Sequence, residues 1–117
     1  NKTNSIKYAR LFERLGFNSV IYDHRRHGES GGKTTSFGYY EKLDLQAIVQ
    51  SIRREIGVDA LLCIHGESMA AATTILYAGT FTGDADFHIL DCSFSTFSDY
   101  FFYAFRFVEL VFTSLLQ

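Results

Sequence analysis

The residues Gly66-Glu67-Ser68-Met69-Ala70 carry the types and spacing of a nucleophile held at a sharp corner. A continuous apolar run, Ala60–Ile64, precedes them, and a helical pattern opens at Met69. A serine at such a strand-to-helix turn stands clear of its neighbours, so its hydroxyl can reach an acyl carbon. Small residues two positions before and two after, Gly66 and Ala70, let the corner pack closely. The backbone N–H of Met69, at the helix N-terminus, then points at the oxygen on which negative charge develops. The structural alternative for Ser68 is an ordinary helix cap, whose hydroxyl accepts a backbone N–H. The strand before it and the helix after it favour the nucleophile.

A serine nucleophile needs a base within hydrogen-bond reach and an acid to orient that base. His24 and His27 fall in a polar loop, His65 lies three residues before Ser68, and His88 falls inside a predicted strand. A structural role is the expectation for each. Asp91 closes a predicted strand on the same edge as Ser68 and is the candidate acid, against a turn-forming role. Asp23 is expected to fix the loop around Arg25 by a charge-assisted hydrogen bond. Cys63 and Cys92 read as buried free thiols, and no histidine–cysteine spacing suggests zinc. Gly31-Gly32-Lys33-Thr34 ends like a phosphate loop, but His27 occupies the position of that loop's first glycine. No metal or organic cofactor is implied.

The elements that must hold these residues alternate. Thr3 or Asn4 is expected to cap a first helix carrying Tyr8, Leu11, Phe12 and Leu15, with Gly16 closing it. Phe17–Tyr22 reads as a strand ending at Asp23, and residues 24–38 as a long loop with four glycines. A second helix spans Tyr39–Ile56, with Leu45, Ile48, Ile52 and Ile56 on one face and Gly57 closing it. Ala60–Ile64 reads as a strand buried on both faces, followed by a His65–Ser68 turn and a third helix from Met69 to about Ala78. Phe87–Leu90 makes a third strand, and Phe97–Leu116 a last helix. Strands alternating with helices predict an α/β fold with a mainly parallel sheet, whose function gathers at the carboxyl ends of the strands.

The chain has 117 residues, enough for one domain. Eleven basic against 13 acidic residues give a net charge of −2, which argues against a nucleic-acid partner. Apolar residues make up 47% and charged residues 21%, the balance of a globular chain. No apolar run is long enough to span a bilayer, and no signal peptide opens the chain, which starts Asn1-Lys2-Thr3. Two cysteines exclude a disulfide scaffold and fit the cytoplasm, the alternative being an N-terminal anchor outside this chain. Nine of the 19 aromatic residues crowd between Phe94 and Phe112. That segment reads first as a core-packing helix, with an acyl-pocket lining or a membrane-facing surface as alternatives.

Three stretches together resemble the α/β-hydrolase family, in its branch of bacterial serine hydrolases related to monoacylglycerol lipases and serine aminopeptidases. Tyr22-Asp23-His24-Arg25-Arg26-His27-Gly28-Glu29-Ser30-Gly31 is similar to that branch's loop after its fourth strand. His65-Gly66-Glu67-Ser68-Met69-Ala70-Ala71-Ala72 is similar to its nucleophile elbow, and Asp91-Cys92-Ser93-Phe94-Ser95 to the turn after its sixth strand. Arg26 and Ala70 stand where the family usually has glycine, and Ser93 where proline is common. The resemblance implies a three-layer α/β/α sandwich of which residues 1–117 are the central part of a single domain. Its landmarks are a strand and loop at 17–38, the elbow at 60–72 and a strand and turn at 87–95. It implies Ser68 as nucleophile, Met69 N–H in the oxyanion hole, and Gly66, Glu67 and Ala70 shaping the elbow. Asp91 stands where some members place their acid, and the catalytic histidine is expected beyond Gln117. The implied activity is hydrolysis of carboxylic esters with an apolar acyl group. The alternatives are a peptidase on the same site and a truncated, non-catalytic scaffold. The family's third strand falls between the first two strands of this chain, so exposed sheet edges and self-association are expected.

Overall fold

The computed structural model describes residues 2–91 and residue 93. In chain order these form α1 (Lys2–Arg14), α2 (Glu41–Ile56), β1 (Cys63–Glu67), α3 (Met69–Thr80) and β2 (Phe87–Asp91). The expected helix over 97–116, and the turn at Cys92 and Phe94–Ser95, lie outside the described residues. The chain divides into two compact units, Asn1–Ser36 and Phe37–Gln117.

In the first unit α1 begins at Lys2, so Thr3 and Asn4 sit in its first turn instead of capping it. Its end follows from Gly16. At φ 88 this glycine donates its N–H to Glu13 O at 2.9 Å, and Phe17 N–H reaches back to Phe12 O at 3.0 Å. The Phe12 and Phe17 rings meet edge to face across the same turn, completing a Schellman closure. Phe17–Tyr22 is not a strand. A strand exists through its ladder to another strand, and the one sheet among the described residues pairs only β1 with β2; Val20 stays 65% exposed.

The loop after Tyr22 is organised by Asp23, which is buried. Its carboxylate accepts the backbone N–H of Lys2 and that of Glu29, the latter at 3.0 Å, and its carbonyl accepts the Ser30 hydroxyl at 2.7 Å. The Lys2 ammonium also pairs with Glu29. The two backbone N–H groups, Lys2's foremost, hold the Asp23 carboxyl below the usual range. A side chain at Gly28 would overlap that carboxyl. Arg26 pairs with Gly31 at 2.8 Å and adopts φ 60, a left-handed conformation in which an L side chain crowds its own backbone.

In the second unit β1 and β2 pair in parallel, with Cys63 opposite Phe87 and Glu67 opposite Asp91. The strand runs three residues later than the apolar run Ala60–Ile64, because the ladder to β2 defines it; His65, Gly66 and Glu67 belong to the strand and not to a turn. Ile64 and Gly66 are buried on the face toward α3. The expectation of burial on both faces fails among the described residues: Leu61 is 59% exposed, and the apolar residues of β2 are exposed as well. The described residues thus form an α/β arrangement with a two-stranded parallel sheet. No helix among them is long and apolar enough to cross a membrane.

The core lies between α2, α3 and the sheet. α2 buries Glu41, Leu45 and Val49, one stripe at a spacing of four, while the expected Ile56 remains exposed. α3 buries Ala71, Ala72, Thr73, Thr74 and Tyr77. The two threonine hydroxyls turn back to Met69 O and Ala70 O, at 2.9 and 2.8 Å, so these β-branched side chains bury no unmet donor. Tyr77 packs its ring on Phe81 and His88, and burial pushes its phenol pKa up. At the amino ends of the strands, Arg53 joins three segments. Its guanidinium donates to Gly57 O, Ala60 O and Asp84 O, and pairs with the Asp86 carboxylate at 2.8 Å. Asp86 also accepts Leu62 N–H at 2.7 Å, the foremost reason its carboxyl lies below the usual range.

Two outcomes follow. A carboxyl whose pKa is lowered by folding stabilises the fold above its unfolded pKa and loses that contribution as pH falls below it. Asp86→Asn should therefore lower the urea midpoint at pH 7 and flatten its fall below about pH 4; equal midpoints at pH 7 would remove the clamp from the account. Arg26→Gly should raise stability by roughly 0.5–1 kcal/mol by relieving the left-handed backbone, read as a higher thermal midpoint.

Candidate active site

β1 enters α3 through one residue. Ser68 lies at φ 57, ψ −116, between a strand ending at Glu67 and a helix opening at Met69. This is a sparsely populated backbone region for any residue other than glycine, held by the elements on either side. The serine makes no side-chain cap hydrogen bond and is exposed, so the capping role weighed for it is absent. Its backbone N–H donates to Asp91 O at 2.9 Å, and its carbonyl accepts Ala72 N–H at 3.1 Å.

The small residues of the corner have different reasons. A Cβ on Gly66 would stand 2.5 Å from Ala70 O and 2.7 Å from Ala71 N, both backbone atoms that the helix holds in place. Gly66 is the point where the strand touches the first turn of α3. Ala70 meets Gly66 through its carbonyl, and a methyl at position 70 is accommodated without displacing that contact. Met69 is the first residue of α3, so its N–H has no acceptor inside the helix, and the first turn contains no acidic residue.

The ladder brings two of the candidate residues together. Glu67 and Asp91 are partners in register at the carboxyl ends of β1 and β2, and Asp91 is tied to Ser68 through the backbone. Strand alternation places His65 and Glu67 on the sheet face opposite α3. His88 lies against the Tyr77 ring on the α3 side, with ring centres 6.2 Å apart, and His27 Nδ1 is 2.9 Å from Arg25 O in the first unit. Cys63 is a half-buried free thiol whose pKa burial pushes up, the opposite of an activated thiolate. Among the described residues no cluster of three or more His, Cys, Asp or Glu side chains could hold a metal ion. The left-handed Ser68 backbone and the absent cap bond are features that residue types alone do not show.

No protein-family model matches the chain, and no solved structure matches it. Over 107 residues, 91% of its length, the chain is 52% identical to the uncharacterized protein YqkD of Bacillus subtilis (strain 168). The match spans about a third of that relative, 35% of its length.

Proposed function

We propose that Ser68 is the nucleophile of an α/β-hydrolase-type serine hydrolase acting on carboxylic esters. The observation that carries this reading is the single-residue corner: a serine at φ 57, exposed, free of any capping bond, between a parallel strand and a helix N-terminus. Such strain persists only where surrounding structure enforces it, and it is concentrated at functional sites.

In this mechanism Ser68 Oγ attacks the acyl carbon while a histidine outside this chain takes its proton. The tetrahedral oxyanion is held by Met69 N–H and a second donor outside the chain. An acid orients the histidine, with Asp91 the candidate at the same sheet edge. The histidine returns the proton to the departing alcohol, and water then cleaves the acyl-enzyme. The two described strands and α3 would belong to a three-layer α/β/α sandwich, with further strands on the free sheet edges in place of self-association. A peptidase would use the same groups; a non-catalytic scaffold would keep the corner without the base.

The test is labelling by a fluorophosphonate, read by intact mass, on the complete natural protein that carries this sequence. A mass increase that disappears in Ser68→Ala, with ester turnover falling by about four orders of magnitude or more, is expected. Labelling or turnover that survives Ser68→Ala would sink the assignment, and no labelling of folded wild-type protein favours the scaffold. Gly66→Ala should cost roughly 2–3 kcal/mol by overpacking the corner and should slow labelling as well; unchanged stability would show that β1 and α3 can separate there.

A further inference from the structure

A second feature lies at the same end of the sheet as Ser68. Arg53, in the last turn of α2, grips the segments that enter β1 and β2. α2 is 16 residues long, about 24 Å, so its first turn lies toward the opposite end, beside Thr73 and Leu76 of α3. The turn leading into α2 is Phe37-Gly38-Tyr39-Tyr40, and its three aromatic rings are exposed, Tyr39 at 61%. Tyr39 and Tyr40 meet edge to face with ring centres 5.0 Å apart, and the Lys42 ammonium lies 5.2 Å from the Tyr39 centroid.

This turn is built rigidly against the nucleophile helix. Gly38 is buried, and a Cβ there would come 2.7 Å from Leu76 Cδ1 and 3.4 Å from Thr73 Cα. Its N–H donates at 2.9 Å to the fully buried Glu41 carboxylate, and its carbonyl accepts Lys42 N–H at 3.0 Å. Met69, Thr73 and Leu76 are spaced four and three apart, one stripe of α3. The aromatic turn therefore borders the stripe that starts at Met69, the proposed oxyanion residue. Thr73 lies five residues from Ser68, about 7.5 Å along the helix, within reach of an extended acyl chain. Phe37 is kept at φ 53, a left-handed conformation unfavourable for phenylalanine, and the residue stays 40% exposed.

We propose that Phe37, Tyr39 and Tyr40 form the subsite for the apolar part of the ester attacked by Ser68. The inference rests on the Ser68 reading and adds the substrate class: esters whose acyl or alcohol part is a medium-length alkyl chain or an aromatic ring. Exposed rings supply apolar area at low entropic cost, and their hydroxyls keep the patch wetted when empty.

Two probes on the complete natural protein decide it, a methyl and an octyl fluorophosphonate, scored by labelling rate at Ser68. The double variant Tyr39→Ala/Tyr40→Ala should slow octyl labelling at least tenfold and leave methyl labelling within twofold. Equal slowing of both, or of neither, overturns the subsite. A binding readout separates this from the nucleophile reading. Titration of the Ser68→Ala protein with octylphosphonate, followed by tyrosine ring NMR, should shift Tyr39 and Tyr40. Octyl labelling of wild-type protein without those shifts overturns the subsite alone. Shifts without any labelling keep an apolar site there but overturn its role in a Ser68 reaction.

Discussion

One close approach sets the terms for the rest: the backbone of β1 at Gly66 lies directly on the backbone of α3 at Ala70 and Ala71. A strand can turn into a helix against itself at that distance only if the connection is one residue long and the residue two before it has no side chain. Both conditions fall on the segment Gly66–Ser68, and Ser68 takes a left-handed backbone as the consequence. Strain of this kind costs on the order of 1–3 kcal/mol, so the flanking elements must hold it. The β1–β2 ladder does so on one side, with Ser68 N–H bonded to Asp91 O as its last rung. The buried threonines and alanines of α3 do so on the other.

The two ends of the second unit are made differently. At the amino ends of the strands, charge closes the structure: one guanidinium satisfies three carbonyls and a carboxylate, and that carboxylate also caps the ladder at Leu62. At the carboxyl ends the polar groups serve to position other groups. Glu41 is buried to hold the Gly38 N–H, and Asp91 lends its carbonyl to Ser68. The first leaves aromatic rings in solvent, and the second leaves a hydroxyl there. A fold maximising its own stability would invert this pattern, covering the rings and relaxing the serine.

Much of this was readable in residue types. Gly16, Gly57 and Gly66 each mark a helix closure or a close approach, and each has that role in the structure because only glycine tolerates it. Met69 as the first residue of a helix and Asp91 as the last of a strand were also legible, since apolar periodicity changes at both. Strand limits were not. Ala60–Ile64 looks like a strand because it is apolar, but pairing with β2 selects Cys63–Glu67, and a continuous apolar run lacks the alternation that sets register. Phe17–Tyr22 fails for the same reason, having the composition of a strand without a described partner. Arg53 was invisible as a clamp because three of its four partners are carbonyls, which every residue carries. The buried stripe of α2 includes Glu41, a carboxylate that a hydrophobic pattern skips, and misses Ile56.

The charges at the two helix starts bear on what the corner is for. α2 begins in the ordinary way, with Glu41 and Asp44 in its first turn offsetting the positive end of the helix dipole. α3 begins Met69-Ala70-Ala71-Ala72, with no acid in its first turn and no side-chain cap, so neither its own first turn nor Ser68 offsets its partial charge. An acid there would add stability but would also compete for the Met69 N–H and repel any negative charge forming beside Ser68. Glu67, the acid nearest in sequence, belongs to β1 and to the sheet face opposite α3, so strand alternation keeps it off the helix axis. On the proposed reading the helix keeps its positive end vacant for a charge that exists only during the reaction, when donors already in place need no reorganisation to meet it.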